Sequence, residues 1–198
     1  MQARLTVALL VACAGAPLAA QTAVQVTGGV VSSGVLVNDG VQHTKLRPAI
    51  APSFGVGIAL PTGTGPFRVR LEAHYSTSTL NVTTADGQSD QLGSLATIDA
   101  MVMAEGPLIG ALRWQVGGGA LFYRPAENQG VFLDGPTHRW LIAGGAVFSH
   151  PLTPSLTLLI NGRVDAHSFQ TDILQARGYA GSQGVERFML HVGLERKL

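Results

Sequence analysis

Between Val24 and Leu198 apolar and polar residues alternate one by one, and the alternation returns in eight separate stretches. The run Phe67-Arg-Val-Arg-Leu-Glu-Ala-His-Tyr75 shows it most plainly. Phe67, Val69, Leu71, Ala73 and Tyr75 fall on one side, with Arg68, Arg70, Glu72 and His74 on the other. Successive strand side chains point to opposite faces, so this period predicts a strand with one oily and one ionic face. The stretches lie at about 23–37, 46–60, 67–83, 92–105, 111–124, 139–149, 155–168 and 185–198. In the second, Ile50, Phe54, Val56, Ile58 and Leu60 oppose Ser53, Gly55, Gly57 and Ala59. In the fifth, Leu112, Trp114, Val116, Ala120 and Phe122 oppose Arg113, Gln115, Gly117 and Gly119. The seventh sets Leu156, Leu158, Ile160 and Val164 against Thr157, Asn161, Arg163, Asp165 and His167. The last sets Phe188, Leu190, Val192 and Leu194 against Met189, His191, Gly193 and Glu195. No helical period of useful length appears.

The links between stretches also alternate. Pro61–Pro66, Gly106–Gly110 and His150–Pro154 are short and contain proline; those near 38–45, 84–91, 125–138 and 169–184 are longer and polar. Eight strands joined in this way predict an all-β, eight-stranded antiparallel up-and-down barrel, with both chain ends on the short-turn side. The solvent then decides what is buried. In water the oily faces would meet in a core; in lipid they face outward while polar residues fill the lumen.

Composition favours lipid. Hydrophobic residues make up 46% and charged residues 13%, yet no apolar run after Gln21 reaches the roughly 20 residues of a membrane-spanning helix. Aromatic residues, at 6%, are few for the two interfacial girdles of such a barrel. Residues 1–20 read as a secretory signal peptide: Arg4 is the one charge, Leu5 to Ala14 is a short apolar run, and Leu18-Ala19-Ala20 precedes Gln21. Leu10-Val11-Ala12-Cys13 also resembles a lipobox, so lipidation at Cys13 stands beside cleavage after Ala20. The expected mature domain is 21–198. Its lack of cysteine excludes disulfides and thiolate metal sites. The chain carries 13 basic and 12 acidic residues; loss of Arg4 leaves a neutral domain with no basic run, which argues against nucleic acid.

On this pattern, from Val24 to Leu198, the chain resembles the small bacterial outer-membrane barrels of the OmpA/OmpX type. The resemblance implies a transmembrane β-barrel in the outer membrane, in contact with lipid and lipopolysaccharide, and inserted by the barrel-assembly machinery. That group often ends in an aromatic residue; here Leu198 is in phase with Phe188 and Leu190. No peptidoglycan-binding domain follows, so only the barrel part of the family applies.

The lumen-facing set predicted from the alternation is Arg68, Arg70, Glu72, His74, Asp99, Glu105, Arg113, Arg163, Asp165 and Glu195. An eight-stranded interior is just wide enough for side chains to fill, and an unpaired buried charge is costly. A charge-balanced plug is therefore expected, with Arg68 opposite Glu105 and His74 opposite Asp99. No cofactor is expected. The six histidines have no paired spacing for a metal, and the glycine clusters lack the strand-to-helix context of a nucleotide site. Some outer-membrane barrels remodel lipid A with a Ser and a His near the outer rim, but His167 and Ser168 are adjacent and face opposite sides. The loop residues Val131, Phe132, Leu133, Ile173 and Leu174 suit self-packing or contact with lipid head groups. The reading is a non-enzymatic outer-membrane barrel with a structural or surface-interaction role. Two alternatives stay open: a soluble periplasmic lipocalin-like barrel holding a small apolar ligand, and a lipid A-modifying enzyme.

Overall fold

The structure, a computed structural model, describes residues 22–39, 43–127, 130–132, 134–176 and 183–198. The signal and lipobox readings on residues 1–20, and Leu133, lie outside the described residues. Ten strands follow in chain order: β1 (Ala23–Ser33), β2 (Val37–Asp39), β3 (Thr44–Pro48), β4 (Ala51–Pro61), β5 (Arg68–Thr83), β6 (Ser89–Ile109), β7 (Leu112–Pro125), β8 (Thr137–Thr153), β9 (Leu156–Phe169) and β10 (Gln183–Lys197). A single helical turn, α1 (Asp172–Ala176), precedes β10, and Thr171 Oγ1 caps it by accepting from Leu174 N at 3.3 Å.

Eight of these strands close into a ring. Each of β4 to β10 pairs antiparallel with its chain neighbour, β1 pairs with β4, and β10 returns to β1 from Ala23↔Lys197 to Ser33↔Arg187. The pairing path Pro107–Arg113–Val147–Asn161–His191–Gly29–Ser53–Ser76–Thr97 circles the ring and regains β6 ten residues from its start. That stagger over eight strands corresponds to a tilt of about 45° and an interior that side chains can fill.

The remaining two strands extend the wall at the long-loop end. β2 pairs with β3, and β3 with the far end of β5. The first long link is thus a hairpin, and the second predicted stretch is split at Ala49–Ile50. Pro48 ends β3 because it has no N–H to continue a ladder; Ala49 N then bonds Thr79 O at 2.8 Å and starts the chain down β4. The link read as 84–91 shortens to a turn over 84–88. Thr84 N bonds Gln88 O at 2.9 Å, Gly87 N bonds Thr84 O at 3.0 Å, and Gly87 takes a φ of 81° that a side chain would oppose. At the other end, Pro107 and Pro151 each sit at a register shift one step before a tight turn, where a missing ladder bond is tolerated.

The faces sort by chemistry. Outside lie Phe54, Val56, Ile58, Leu71, Val102, Val116, Ile142, Val164, Leu190 and Val192, with Trp140 78% and Ile142 70% exposed. A soluble monomer rarely carries more than a few hundred Å² of contiguous apolar surface; here such residues circle the whole ring. Among the described residues no helix is long and apolar enough to cross a membrane. The aromatics, though few, are concentrated outside: seven of the twelve (Phe54, Phe67, Tyr75, Phe122, Trp140, Phe148 and Phe188) are exposed. Phe67, Trp114 and Phe148 lie toward the short turns. The register path Phe54–Tyr75–Ile98–Phe122 runs nearer the long loops.

Candidate functional site

The strands bring a dense set of charged groups together in the interior, which is built in tiers. Nearest the short turns, Arg68 Nη2 meets Glu105 Oε1 at 2.5 Å and its Nη1 meets Glu195 Oε1 at 2.7 Å. Arg70 and Arg113 both bond Glu105 as well. Arg70 Nη2 reaches Glu195 Oε2 at 3.3 Å, and Arg113 Nη2 donates to the carbonyl of Pro66 at 2.5 Å. Glu105 and Glu195 thus sit among three guanidinium groups, the planar donors best suited to bridge carboxylates.

The next tier draws on four strands, β1, β5, β7 and β9. Gln25 accepts from Arg70 and donates Nε2 to Glu72 Oε1 at 3.0 Å. Glu72 Oε2 takes Arg163 Nη1 at 3.0 Å, and Gln115 Nε2 donates to Asn161 Oδ1 at 2.5 Å. Above it, His74 Nδ1 and Asp99 Oδ1 are 2.8 Å apart; Arg163 Nη2 and Arg187 Nη2 approach Asp99 at 3.4 and 3.2 Å. Asp165, wholly buried, pairs with Arg163 Nε at 2.7 Å and faces Arg187 Nη1 at 3.7 Å. His191 lies beside His74 with ring centroids 5.1 Å apart, and its Nδ1 is 3.4 Å from Thr27 Oγ1.

All ten residues predicted for the lumen therefore lie inside the ring, Arg68 and Arg113 partly open at the mouth. Arg68 is in register with Glu105 and His74 with Asp99. Those ten hold four arginines against five carboxylates. Within the ion-paired network the balance comes from Arg187, absent from the predicted set, which makes five of each: Arg68, Arg70, Arg113, Arg163 and Arg187 against Glu72, Asp99, Glu105, Asp165 and Glu195. The signal was present, because Arg187 shares the parity of Met189 and His191. Gln25, Gln115 and Asn161 fall outside that set because it was chosen by charge, although Gln115 and Asn161 lie on the polar faces of their stretches.

Toward the long loops the filling turns apolar. Leu121, Tyr123, Leu141 and Phe169 line the walls, while Leu36, Phe132 and Leu174 fold in from three links to close the top. Phe132 and Phe169 are 5.7 Å apart, and Phe169 meets Tyr123 edge-on at 5.3 Å. Of the loop residues noted above, Phe132 and Leu174 are thus spent on self-packing.

The residues of the lipid A-modifying alternative lie apart among the described residues. His167 points inward with its Nε2 2.6 Å from Tyr123 Oη, whereas Ser168 lies on the exposed face. Ser76 pairs with Thr97 at 2.7 Å. Among the described residues no serine hydroxyl is hydrogen-bonded to His167, and no cluster of three His, Cys, Asp or Glu is placed to hold a metal. The lipocalin-like alternative needs the apolar faces inside and the Arg68/Glu72 face in water. The observed ring has the opposite sidedness.

No protein-family model matches the chain, and no curated protein does. Solved structures do. Neisserial surface protein A is similar over 89% of this chain and 97% of its own, at 12% identity and a TM-score of 0.53. The outer-membrane protein OprG from Pseudomonas aeruginosa is similar over 91% and 97%, at 13% identity and a TM-score of 0.52. The outer-membrane protein AlkL, solved in lipid bilayers, is similar over 93% and 94%, at 12% identity and a TM-score of 0.50. The fold is that of the small bacterial outer-membrane β-barrels, and the apolar exterior supplies the lipid-facing surface that fold requires.

Proposed function

We propose that this chain is a closed, non-enzymatic barrel of the bacterial outer membrane, with its short turns and termini in the periplasm and its long links at the cell surface. It stabilises the membrane and displays the surface links; it does not conduct. The observation that supports this best is the filled lumen. Five arginines and five carboxylates occupy its periplasmic part, and an apolar lid of Leu36, Phe132 and Leu174 lies above them. A water path would have to break several charge-assisted bonds, each held in surroundings of low dielectric where an unpaired partner is costly. Lipopolysaccharide surrounds the barrel in this setting, and the barrel-assembly machinery inserts it.

The test joins two measurements. Refolded protein should run with a heat-dependent gel shift in detergent, which reports an intact barrel. The same material in planar lipid bilayers should give no stable conductance steps. Regular unit conductance from the heat-shifted form would overturn the closed-lumen reading. Recovery of the exported chain in the periplasmic extract, and not with outer membranes, would overturn the location.

A further inference from the structure

The wall above the apolar belt is unequal around the ring, and on one side it forms a small sheet with a sharply sorted face. There β2, β3 and the far ends of β5 and β6 run side by side. Directly paired residues of antiparallel strands share a face. Leu46, Leu80 and Val82 turn inward and pack against the capped interior. Lys45 is paired with Thr83, Arg47 with Asn81, Thr83 with Ser89 and Asn81 with Gln91, so these six residues share the outward face. Both acids within these strand segments, Asp39 and Asp90, are paired with Thr44 and Val82 and belong to the opposite face. Charge separation by strand parity leaves the outward side with two cations and no carboxylate.

The position of this face matters as much as its charge. Immediately below it, at the break between β3 and β4, Ile50 is 69% exposed, and Phe54, Val56 and Ile58 continue straight down the apolar belt. A groove of about 290 Å³ bridges the two zones, lined by Arg47, Pro48, Ile50, Asn81, Thr83 and Ser89 among others. Arg47 Nε donates to the carbonyl of Ser33 at 3.0 Å, which tethers its arm at the groove while the residue stays exposed. Neither Lys45 nor Arg47 is in an ion pair among the described residues.

We propose that this face seats one phosphorylated sugar lipid of the outer leaflet, a lipid A-type headgroup. Lys45 and Arg47 take its phosphate, Asn81, Thr83, Ser89 and Gln91 meet its sugar hydroxyls, and its acyl chains lie along Ile50, Phe54 and Val56. The assignment rests on the outer-membrane reading above and adds a defined contact to it. A phosphorylated disaccharide carries anionic groups, hydroxyls and hydrocarbon in the vertical order in which this wall offers cations, amides and hydroxyls, and aliphatic side chains. In the bare leaflet divalent cations bridge such phosphates. Here the protein supplies that charge itself.

The experiment is a native mass-spectrometric titration of the full barrel in detergent with bis-phosphorylated lipid A, in the presence of chelator. Wild type should retain one lipid A. Each cation near a charged membrane surface contributes about a factor of five, so Lys45→Gln/Arg47→Gln should bind about twenty-five-fold more weakly. Lipid A stripped of phosphate should bind wild type as poorly. Equal retention by the double variant, or equally tight binding of phosphatidylglycerol, would overturn the seat. Heat-dependent gel mobility shows whether each variant is folded. Should the double variant not fold, Lys45→Gln alone decides, with about fivefold weaker binding expected and unchanged binding against the proposal. A wild-type barrel that never enters bilayers sinks the outer-membrane reading and the seat together. One that inserts but loses nothing on substitution sinks the seat alone.

Discussion

Asp99 divides its two carboxylate oxygens among His74, Arg163 and Arg187, groups from three different strands. A side chain so engaged is an obligate member of its network, because removal of one partner leaves the others buried with an uncompensated charge. Arg187→Met should therefore destabilise the barrel by about 3–5 kcal/mol. Asp165→Asn/Arg187→Met restores equal numbers of opposite charges and should lose less than the two single costs added together. Urea unfolding in lipid vesicles measures both; strict additivity would show that local packing, and not charge balance, sets the cost. Arg187 also marks where reading the chain stopped short. Its parity was visible, but nothing in a one-dimensional pattern counts the charges of all eight strands at once.

Glycines set how closely two walls approach. Gly117 and Gly119 of β7 face inward across from Met103 and Met101 of β6, and a Cβ on either would come within 2.8 Å of the facing methionine's Cα. The two methionines occupy the space that the glycines leave. Gly119→Val should push β6 and β7 apart and abolish the heat-shifted folded band, whereas Gly162→Ala, whose added methyl meets nothing within 4 Å, should fold like wild type. Equal folding of the two variants would refute this close-approach argument. Most strands were legible from alternation alone, because each has one face in lipid and one in a polar lumen. The β2–β3 hairpin and the split at Ala49–Ile50 were not. Above the belt the outward face is polar, so the contrast between faces that reveals a strand fades there. The sequence-based lumen set likewise showed no sign of the apolar lid, since Phe132 and Leu174 sit on links without periodicity.

For the molecule as a whole, the lumen holds two unlike fillings, ionic below and apolar above, and their roles separate. On the closed-barrel proposal the packing of Leu36, Phe132 and Leu174 serves to order the links, and the arginine–carboxylate tiers beneath it serve as the barrier. Phe132→Ser/Leu174→Ser should accordingly make the surface links more sensitive to trypsin while bilayer recordings stay silent. Conductance from this double variant would assign the barrier to the lid instead.

The pairing of β10 with β1 along eleven residue pairs carries one more consequence, for biogenesis. A nascent chain halted before Gln183 would present two raw seams of peptide N–H and C=O to hydrocarbon, where each unmet group costs several kcal/mol. Residence in the bilayer is thus an all-or-nothing state that waits for the C-terminal segment. Whatever shepherds the polypeptide across the envelope has to shield both seams until the last strand arrives.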